Sequence, residues 1–327
     1  MDLFIPSNSS FDKVAPTITH LGIGAHQDDL EIMALPGILE CYQNPKKQFG
    51  GITCTAGGGS PRSGPYTSYS DEEMKVCRRQ EQHQAAILGE YALMIQLDYT
   101  SLEIQEPTSN RLLSKLACAD EVQGVDSAQK LSVQKLLDAS NTGATKQFAA
   151  EVELGKKSSP LVATLQELLC QMRPQIIYTH HLADKHPTHR AVCFAVIEAL
   201  RQLPREQRPT QLLGGEVWRG LDWLSHHDKI ALDVSAHPEL SEKLLTVFDS
   251  QIAGGKRYDL ATLGRRRANA TYSIPHEIDQ AALVSYAMDL SPLIENDQLD
   301  VVEYTLEFID RFRSEVEFEN KDERKRN

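Results

Sequence analysis

The chain has 327 residues, of which 41% are hydrophobic and 24% charged, and its formal net charge is −12 at pH 7. This length and composition predict a large buried core, and the negative charge argues against a nucleic-acid partner, which would need a basic surface. No stretch approaches the ~18 consecutive apolar residues of a membrane span, and the N-terminus lacks the regions of a signal peptide, so we expect a cytoplasmic protein.

Short apolar strands alternate with amphipathic helices along the chain, a pattern typical of a parallel sheet with helices on both faces. The candidate strands are 18–24, 50–55, 92–98, 175–179, 213–218 and 229–234. The candidate helices between them include 29–42, 70–91 and 158–173. Ser70 and Glu73 have capping-box spacing, and Ser159 precedes Pro160, a favoured first helical residue. We therefore predict one α/β domain over residues 1–327, with a mostly parallel sheet and helices on both faces.

Two segments depart from this alternation. Residues 105–157 are rich in Ser, Ala, Gln and Asp, and we interpret them as an insertion near the rim of the sheet, either a lid or a partly ordered surface excursion. Residues 315–327 form a charge run that predicts a solvated, fraying helix end. The six cysteines are scattered without CxxC spacing, which indicates free thiols rather than a disulfide scaffold or a cysteine metal site.

An imidazole and two carboxylates follow the first predicted strand. The stretch GAHQDDLEI places His26, Asp28 and Asp29 between this strand and the next helix, where open α/β sheets bind ligands. His26 and Asp29 are three residues apart and can point to a common position above the strand end. Adjacent aspartates at a helix start also serve simply as a cap that interacts with the helix dipole.

The stretch YTHHLADKHPTHRAV repeats this arrangement after strand 175–179. A loop rich in His and Asp follows the strand, and a helix begins near Pro187. His186 and His189 have i, i+3 spacing across the first helical turn, which puts both rings on one side of the helix start. If the first and fourth predicted strands are neighbours, the two loops meet.

Two imidazoles and one carboxylate are the usual protein ligands of a catalytic zinc site with a vacant position for water. We assign His26, Asp29 and His189 to this role, and the same ligands accept Fe(II) or Co(II). A bound metal would supply an activated water and polarise a carbonyl, and amide hydrolysis also needs a base and an acid. Asp28 and His186 are the unassigned neighbours with suitable chemistry.

The pair AHQDDLE and DKHPTH resembles the PIG-L or LmbE-like family of zinc-dependent N-acetylglucosaminyl deacetylases, whose motifs read approximately AHPDDE and HPDH on a Rossmann-like sheet. The resemblance covers about residues 17–104 and 158–202. It implies a hydrolase that removes the N-acetyl group from an N-acetylglucosamine-type amino sugar or glycoconjugate by attack of metal-bound water. The expected partner is therefore a small-molecule amino sugar.

The family's site residues carry over by position. Zinc would be held by His26, Asp29 and His189, and the family's proposed general base matches Asp28. The family's acid or oxyanion-stabilising histidine matches His186.

Two motif residues depart from the family pattern. Gln27 replaces a Pro, which should change loop rigidity more than chemistry. Thr188 replaces an Asp thought to orient the neighbouring histidine, and Asp184 could substitute for that carboxylate. His180 and His181 lie outside the core scheme, and we expect second-shell support or plain loop hydrogen bonding from them.

Three regions supply candidate substrate contacts. The helix RRQEQHQAAILGEY is similar to the family's RxxE helix, so Arg78 is a candidate for substrate binding, with a solvated helix face as the alternative. The glycine-rich loop 56–65 makes Arg62 a weaker candidate. A basic cluster could bind a phosphate or carboxylate, although we favour pairing with acidic residues. It consists of Lys256, Arg257, Arg265, Arg266 and Arg267.

Two other functions stay open. A non-haem Fe(II) oxygenase has similar ligands, but such enzymes usually use a β-barrel and His-x-Asp spacing. A non-catalytic carbohydrate-binding protein that retains a metal is the other alternative, and Thr188 is the feature that favours it. The complete set of chemical residues, which is His26, Asp28, Asp29, His186 and His189, argues against that alternative. The sequence leaves homo-oligomerisation open.

Overall fold

The computed structural model describes residues 1–105 and 159–326, so the predicted insertion lies outside the described residues except for Gln105. The strands of the described part are β1 Asp2–Phe4, β2 His20–Gly24, β3 Phe49–Thr55, β4 Leu93–Tyr99, β5 Ile176–His180, β6 Gln211–Gly215, β7 Lys229–Asp233 and β8 Val284–Asp289. They form one sheet in the order β1-β4-β3-β2-β5-β6-β8-β7.

Helices surround this sheet. The α-helices of the described part are α1 Phe11–Val14, α2 Asp29–Met33, α3 Leu35–Cys41, α4 Asp71–Leu88, α5 Ser101–Gln105, α6 Pro160–Met172, α7 Pro187–Arg201, α8 Pro238–Thr246, α9 Asp249–Ile252, α10 Tyr258–Thr271, α11 Pro292–Glu295 and α12 Val301–Arg326. Within this part of the chain, no helix is both long enough and apolar enough to cross a membrane.

The central strands are parallel and buried, which confirms the predicted α/β fold. The strands β4, β3, β2, β5 and β6 run parallel to one another, whereas β1, β8 and β7 are added antiparallel at the edges. Every residue of β2 and β3 is buried. Successive residues such as Ile177 and Tyr178 contribute to two separate apolar clusters, one on each face of the sheet. Strands covered on both faces are typical of parallel sheets.

All six predicted strands are present, with boundaries shifted by a few residues. The predicted strand 213–218 ends at Gly215, so Trp218 belongs to the following loop. The strands β1 and β8 were not predicted. The strand β1 has only three residues and therefore provides no periodic pattern, whereas β8 has six residues and is as long as the strands that were predicted.

The prediction of one helix over residues 29–42 is wrong, because the structure has two helices there, α2 and α3. The chain breaks at Ala34, between α2 and α3, where φ is −104° and ψ is 11°. Pro36 lacks an N–H and its ring would clash with the carbonyl of Ile32 in a continuous helix. The Ile32 carbonyl instead accepts a hydrogen bond from Nη2 of Arg266 at 3.0 Å.

The predicted helix caps are confirmed. The Ser70 hydroxyl and the Glu73 carboxylate form a capping box at the start of α4, and the Ser159 hydroxyl accepts from the N–H of Val162 at the start of α6. The charged C-terminal segment is helical as far as Arg326 and continues α12.

The strands β2 and β5 are direct parallel neighbours, with His20 opposite Ile176 and Gly22 opposite Tyr178. Their carboxyl ends therefore lie side by side at the same edge of the sheet. The two motif loops follow these ends, so the fold brings them together as the sequence predicted.

Candidate metal centre and cleft

The three predicted metal ligands converge above the ends of β2 and β5. The Nδ1 atom of His26 lies 3.2 Å from Nε2 of His189 and 3.3 Å from Oδ2 of Asp29. The Oδ1 atom of Asp29 lies 3.4 Å from Nε2 of His189. Zn²⁺ binds such atoms at about 2.0–2.2 Å, which places two tetrahedral ligands about 3.3–3.6 Å apart. The spacing of these three residues therefore fits a metal ion.

Other histidines surround this triangle. Donor atoms that all lie within 4.8 Å of one another form two groups that share His189, one with His26 and His186 and one with Asp29 and His180. Asp29 faces His26 through Oδ2 and His189 through Oδ1. His180 is the poorer ligand because its Nε2 already accepts a hydrogen bond from the N–H of Ala25 at 2.9 Å. Its ring is stacked on that of His189, with centroids 3.8 Å apart. His180 therefore packs against the ring of the predicted ligand His189 and binds the backbone of the first motif loop.

The protonation states of Asp29 and His189 suit metal binding, which requires an ionised carboxylate and a neutral imidazole. Burial acts to raise the pKa of Asp29, but the imidazoles of His189 and His180 hold it well below its usual range. Burial lowers the pKa of His189 to about 3. Oδ2 of Asp29 also accepts a hydrogen bond from the N–H of His26 at 2.6 Å, which closes the first motif loop.

Asp184 connects the second motif loop to the loop after β6. Its Oδ1 accepts a hydrogen bond from the N–H of His186 at 2.8 Å and lies 3.4 Å from Nδ1 of His189. Its Oδ2 accepts from the backbone N–H groups of Trp218 and Arg219 at 3.0 and 3.3 Å. Although burial opposes ionisation, His189 and the hydrogen bond from the N–H of His186 hold the pKa of Asp184 well below its usual range. The carboxylate thus faces the ring of His189, not that of His186 as the sequence suggested.

His186 sits at the first turn of α7 with one ring nitrogen already used. Its Nδ1 accepts a hydrogen bond from the N–H of Thr188 at 3.3 Å, so the neutral ring carries its proton on Nε2. Burial lowers the pKa of His186. Thr188, which replaces the family's Asp, is buried, and its hydroxyl accepts a hydrogen bond from Nε2 of Gln105 at 2.6 Å.

Asp28 lies beside the triangle in a backbone conformation that non-glycine residues seldom adopt, with φ of 97°. Burial raises the pKa of Asp28 well above its usual range, against the opposing charge of Arg78. Nη2 of Arg78 lies 3.5 Å from Oδ1 of Asp28 and also donates to the Gln27 carbonyl, while Nη1 donates to the Ser60 hydroxyl at 2.6 Å. Arg78 therefore joins the first motif to the glycine-rich loop.

Gln27, at the family's Pro position, is a buried bridge between strands. Its Nε2 donates to the Thr55 carbonyl and to Oε1 of Gln96, both at 3.0 Å. Gln96 in turn donates to the Arg79 carbonyl of α4 at 3.2 Å. The substitution thus places a specific polar network under the motif loop.

His181 takes a structural position. It is buried, and its Nε2 lies 3.1 Å from the Arg219 carbonyl. Burial lowers the pKa of His181 to about 4, so the ring is neutral and donates this hydrogen bond.

A cleft of about 610 Å³ opens above the triangle. Its lining includes His26, Asp28, Asp29, His186 and Arg78. It also includes the glycine-rich loop and several side chains that the sequence did not single out. These are Lys75, Tyr99, Leu102, Trp218, Gln251 and Tyr258. Trp218 follows the end of β6 at the same edge of the sheet as the two motifs, which is the signal that could have identified it.

The predicted basic side chains take different positions. Arg62 donates to the Gly58 carbonyl at 2.7 Å and pairs with Asp71, and it is absent from the part of the lining that the structure describes. Of the basic cluster, Lys256 lines the cleft with Nζ 4.5 Å from the centre of the Trp218 ring. Arg257 pairs with Asp259, as expected from the alternative we favoured.

The arginines of α10 are divided between the interior and the surface. Arg265 donates to the Val217 carbonyl at 2.6 Å, and the buried Arg266 donates to the carbonyls of Glu31 and Ile32 at the end of α2. Arg267 is exposed. The cluster therefore does not form one anion site among the described residues.

Comparison with known proteins adds to this geometry. The sequence profile of the PIG-L family, described as GlcNAc-PI de-N-acetylase, matches residues 21–200, which is more than half of the chain. The chain belongs to the PIG-L family. The match includes both motifs and four of the five parallel strands, from β2 to β5, whereas β6 lies outside it. No curated protein sequence matches the chain.

Solved structures share the fold of this PIG-L family member. N,N′-diacetylchitobiose deacetylase from Pyrococcus horikoshii is 15% identical, with a TM-score of 0.53 and coverage of 89% of this chain and 90% of that chain. The 4-carboxy-2-hydroxymuconate hydratase GalB from Pseudomonas putida is 12% identical, with a TM-score of 0.52 and coverage of 84% and 96%.

A zinc-inhibited form of teicoplanin deacetylase Orf2 is 15% identical to this PIG-L family member, with a TM-score of 0.50 and coverage of 83% and 97%. Such identities establish the fold alone. Because one of these proteins is a hydratase, the fold does not determine which reaction is catalysed.

Proposed function

We propose that the protein is a metal-dependent N-deacetylase that removes the acetyl group from an N-acetylglucosamine-type amino sugar or glycoconjugate. The observation that carries the proposal is one cleft lined by two of the metal-ligand residues, His26 and Asp29, together with Asp28 and His186. The third ligand, His189, is buried beside them, with its Nε2 3.2 Å from Nδ1 of His26. Family membership supports the same reaction class, as does the deacetylase from Pyrococcus horikoshii among the structural neighbours.

His26, Asp29 and His189 would hold the metal, and their donor spacing of 3.2–3.4 Å suits Zn²⁺. When bound, such an ion lowers the pKa of water and polarises a carbonyl oxygen. Fe²⁺ and Co²⁺ accept the same ligands, so this ligand set is compatible with several divalent transition metals and does not identify one of them.

Asp28 acts as the general base. Its carboxyl group lies beside the triangle, and burial raises its pKa, which makes the carboxylate a better proton acceptor. In the reaction, the carboxylate of Asp28 takes a proton from the attacking water while the oxygen bonds to the acetamide carbon. Arg78, 3.5 Å away and fixed by Ser60 and Gln27, positions this carboxylate.

His186 acts on the carbonyl oxygen of the substrate, where negative charge develops during the reaction. Because its Nδ1 accepts from the Thr188 N–H, its Nε2–H is available to donate to the carbonyl oxygen as negative charge develops there. The tetrahedral intermediate then collapses, the C–N bond breaks and the amine receives the proton held by Asp28. Acetic acid and the free amino sugar are released and equilibrate to acetate and the ammonium form of the sugar, so atoms and charge balance.

The decisive experiment is an acetate-release assay on purified protein with a panel of N-acetylglucosamine derivatives. Each substrate is tested with the metal-free protein and after addition of Zn²⁺, Fe²⁺ or Co²⁺ at increasing concentration, because one structural neighbour has a zinc-inhibited form. Metal-dependent acetate release supports the proposal.

The outcomes also separate the alternatives. Bound metal without acetate release from any member of the panel would favour the non-catalytic carbohydrate-binding function, whereas oxygen consumption with Fe²⁺ would favour an oxygenase. The parallel sheet differs from the β-barrel that such oxygenases usually have.

A further inference from the structure

The C-terminal helix α12 extends beyond the apolar core. Val301, Tyr304 and Phe308 pack against the core, whereas every residue from Ile309 to Phe318 is exposed. The helix nevertheless continues for 18 residues after Phe308. A helix of this length is only marginally stable in water unless one face packs against a partner.

An apolar stripe runs along this helix. Five large apolar side chains, each between 38% and 52% exposed, follow one another at intervals of four, three, three and four residues. They are Val302, Leu306, Ile309, Phe312 and Val316. At 100° per residue they fall within an arc of about 120°, the width of a helix face that packs against another element. Phe318 lies on a different side of the helix.

The stripe is symmetric about Ile309. Its intervals read the same in both directions, so an antiparallel copy of the helix would place Val302 opposite Val316 and Leu306 opposite Phe312. Ile309 would contact its own counterpart on the two-fold axis. A self-complementary surface of this kind is what an isologous dimer requires.

The charges beside the stripe are complementary in the same arrangement. Glu303 lies six residues before Ile309 and Arg313 lies four residues after it, so the two come within one helical turn of each other across the antiparallel pair. A parallel pair would instead bring Glu303 next to Glu303 and Arg313 next to Arg313.

We infer that the stripe is a dimer interface, occupied by the same helix of a second copy of this chain in antiparallel orientation. The contact is independent of the proposed catalytic function, because none of its residues lines the cleft. Val302 to Val316 span about 21 Å of helix, which makes a small interface, so the dimer should dissociate on dilution.

The first test is the oligomeric state of the purified full chain by sedimentation equilibrium over a range of concentrations. We expect a reversible monomer–dimer equilibrium, which Ile309→Glu should abolish because it places two carboxylates on the two-fold axis. Ile278→Glu is the matched control, because Ile278 is 85% exposed outside the stripe. A monomer at every concentration, or a dimer that Ile309→Glu leaves unchanged, would overturn the inference.

The second test is orientation by disulfide cross-linking in a Cys170→Ser background, since Cys170 is an exposed thiol. A mixture of Val302→Cys and Val316→Cys proteins should form a cross-linked dimer, whereas each variant alone should not. Two copies of residue 302 lie about 21 Å apart in the antiparallel pair, and a disulfide requires Cα atoms within about 7 Å. Cross-linking of each variant with itself, without a cross-link between the Val302→Cys and Val316→Cys proteins, would overturn the antiparallel arrangement.

Discussion

The Nδ1 atom of His26 lies 3.2 Å from the Nε2 atom of His189, although 163 residues separate the two histidines in the chain. Two imidazole nitrogens so close together repel each other through their lone pairs unless a proton or a cation lies between them. A metal ion provides such a cation, and Asp29 contributes the negative charge that favours it.

Metal content is therefore the first property to test. We expect about one divalent ion per chain in the purified protein and loss of the ion in His26→Ala and His189→Ala, because each variant removes one of three ligands. His186→Ala should retain the ion, since Asp29 completes the triangle without it. Metal analysis by mass spectrometry provides the measurement, with the exposed His226→Ala as a control. Loss of metal in His186→Ala would show that His186 is also a metal ligand.

Asp28→Asn should reduce kcat for acetate release by about 10²–10⁴-fold while metal content stays near that of the unsubstituted protein. Asn is preferred over Ala for this test because it tolerates the φ of 97° found at this position. Asp12→Asn, at an exposed position, serves as the control for removing one negative charge. If Asp28→Asn loses the metal, Asp28 is a ligand and the assignment of the base is wrong.

Asp184→Asn should lower metal affinity by about 10–100-fold, because a carboxylate behind a ligating histidine orients the ring and raises its basicity. The relevant contact is the 3.4 Å separation between Oδ1 of Asp184 and Nδ1 of His189. Competition with a chromogenic chelator measures the affinity, and Asp222→Asn, which changes an exposed carboxylate, is the control. Equal metal affinity in the two variants would show that Asp184 acts only through its hydrogen bonds to backbone N–H groups.

The location of the candidate site could be predicted from the sequence because it depends on short-range information. His26 and His189 each follow an apolar strand and precede or open a helix, and parallel neighbours bring the carboxyl ends of such strands together. Helix caps at Ser70 and Ser159 are similarly local.

Contacts between distant segments could not be predicted in this way. The carboxylate of Asp184 faces His189 because the loop after β6 supplies the N–H groups of Trp218 and Arg219 to its other oxygen. Arg266 reaches the end of α2 across more than 200 residues of sequence. Neither pairing has a sequence spacing that identifies it.

Gln27 stands where the family motif has Pro, and replacing it tests whether its side chain stabilises this protein. Gln27→Pro restores the family residue but removes the side chain that donates to the Thr55 carbonyl and to Gln96. Each of these buried acceptors would lose a partner, at about 1–3 kcal/mol per unsatisfied group, so we expect a lower free energy of unfolding. Denaturant titration measures the change.

The control for this exchange is the double variant Gln27→Pro with Gln96→Leu, which removes the polar side chain left without its donor. Replacing both partners of a buried hydrogen bond costs less than removing one, so the double variant should recover part of the lost stability. Gln96 is fully buried, and Leu fills a similar volume. Additive destabilisation by the two substitutions would contradict the coupling of Gln27 to Gln96 and would place the whole effect of Gln27 on its bond to the Thr55 carbonyl.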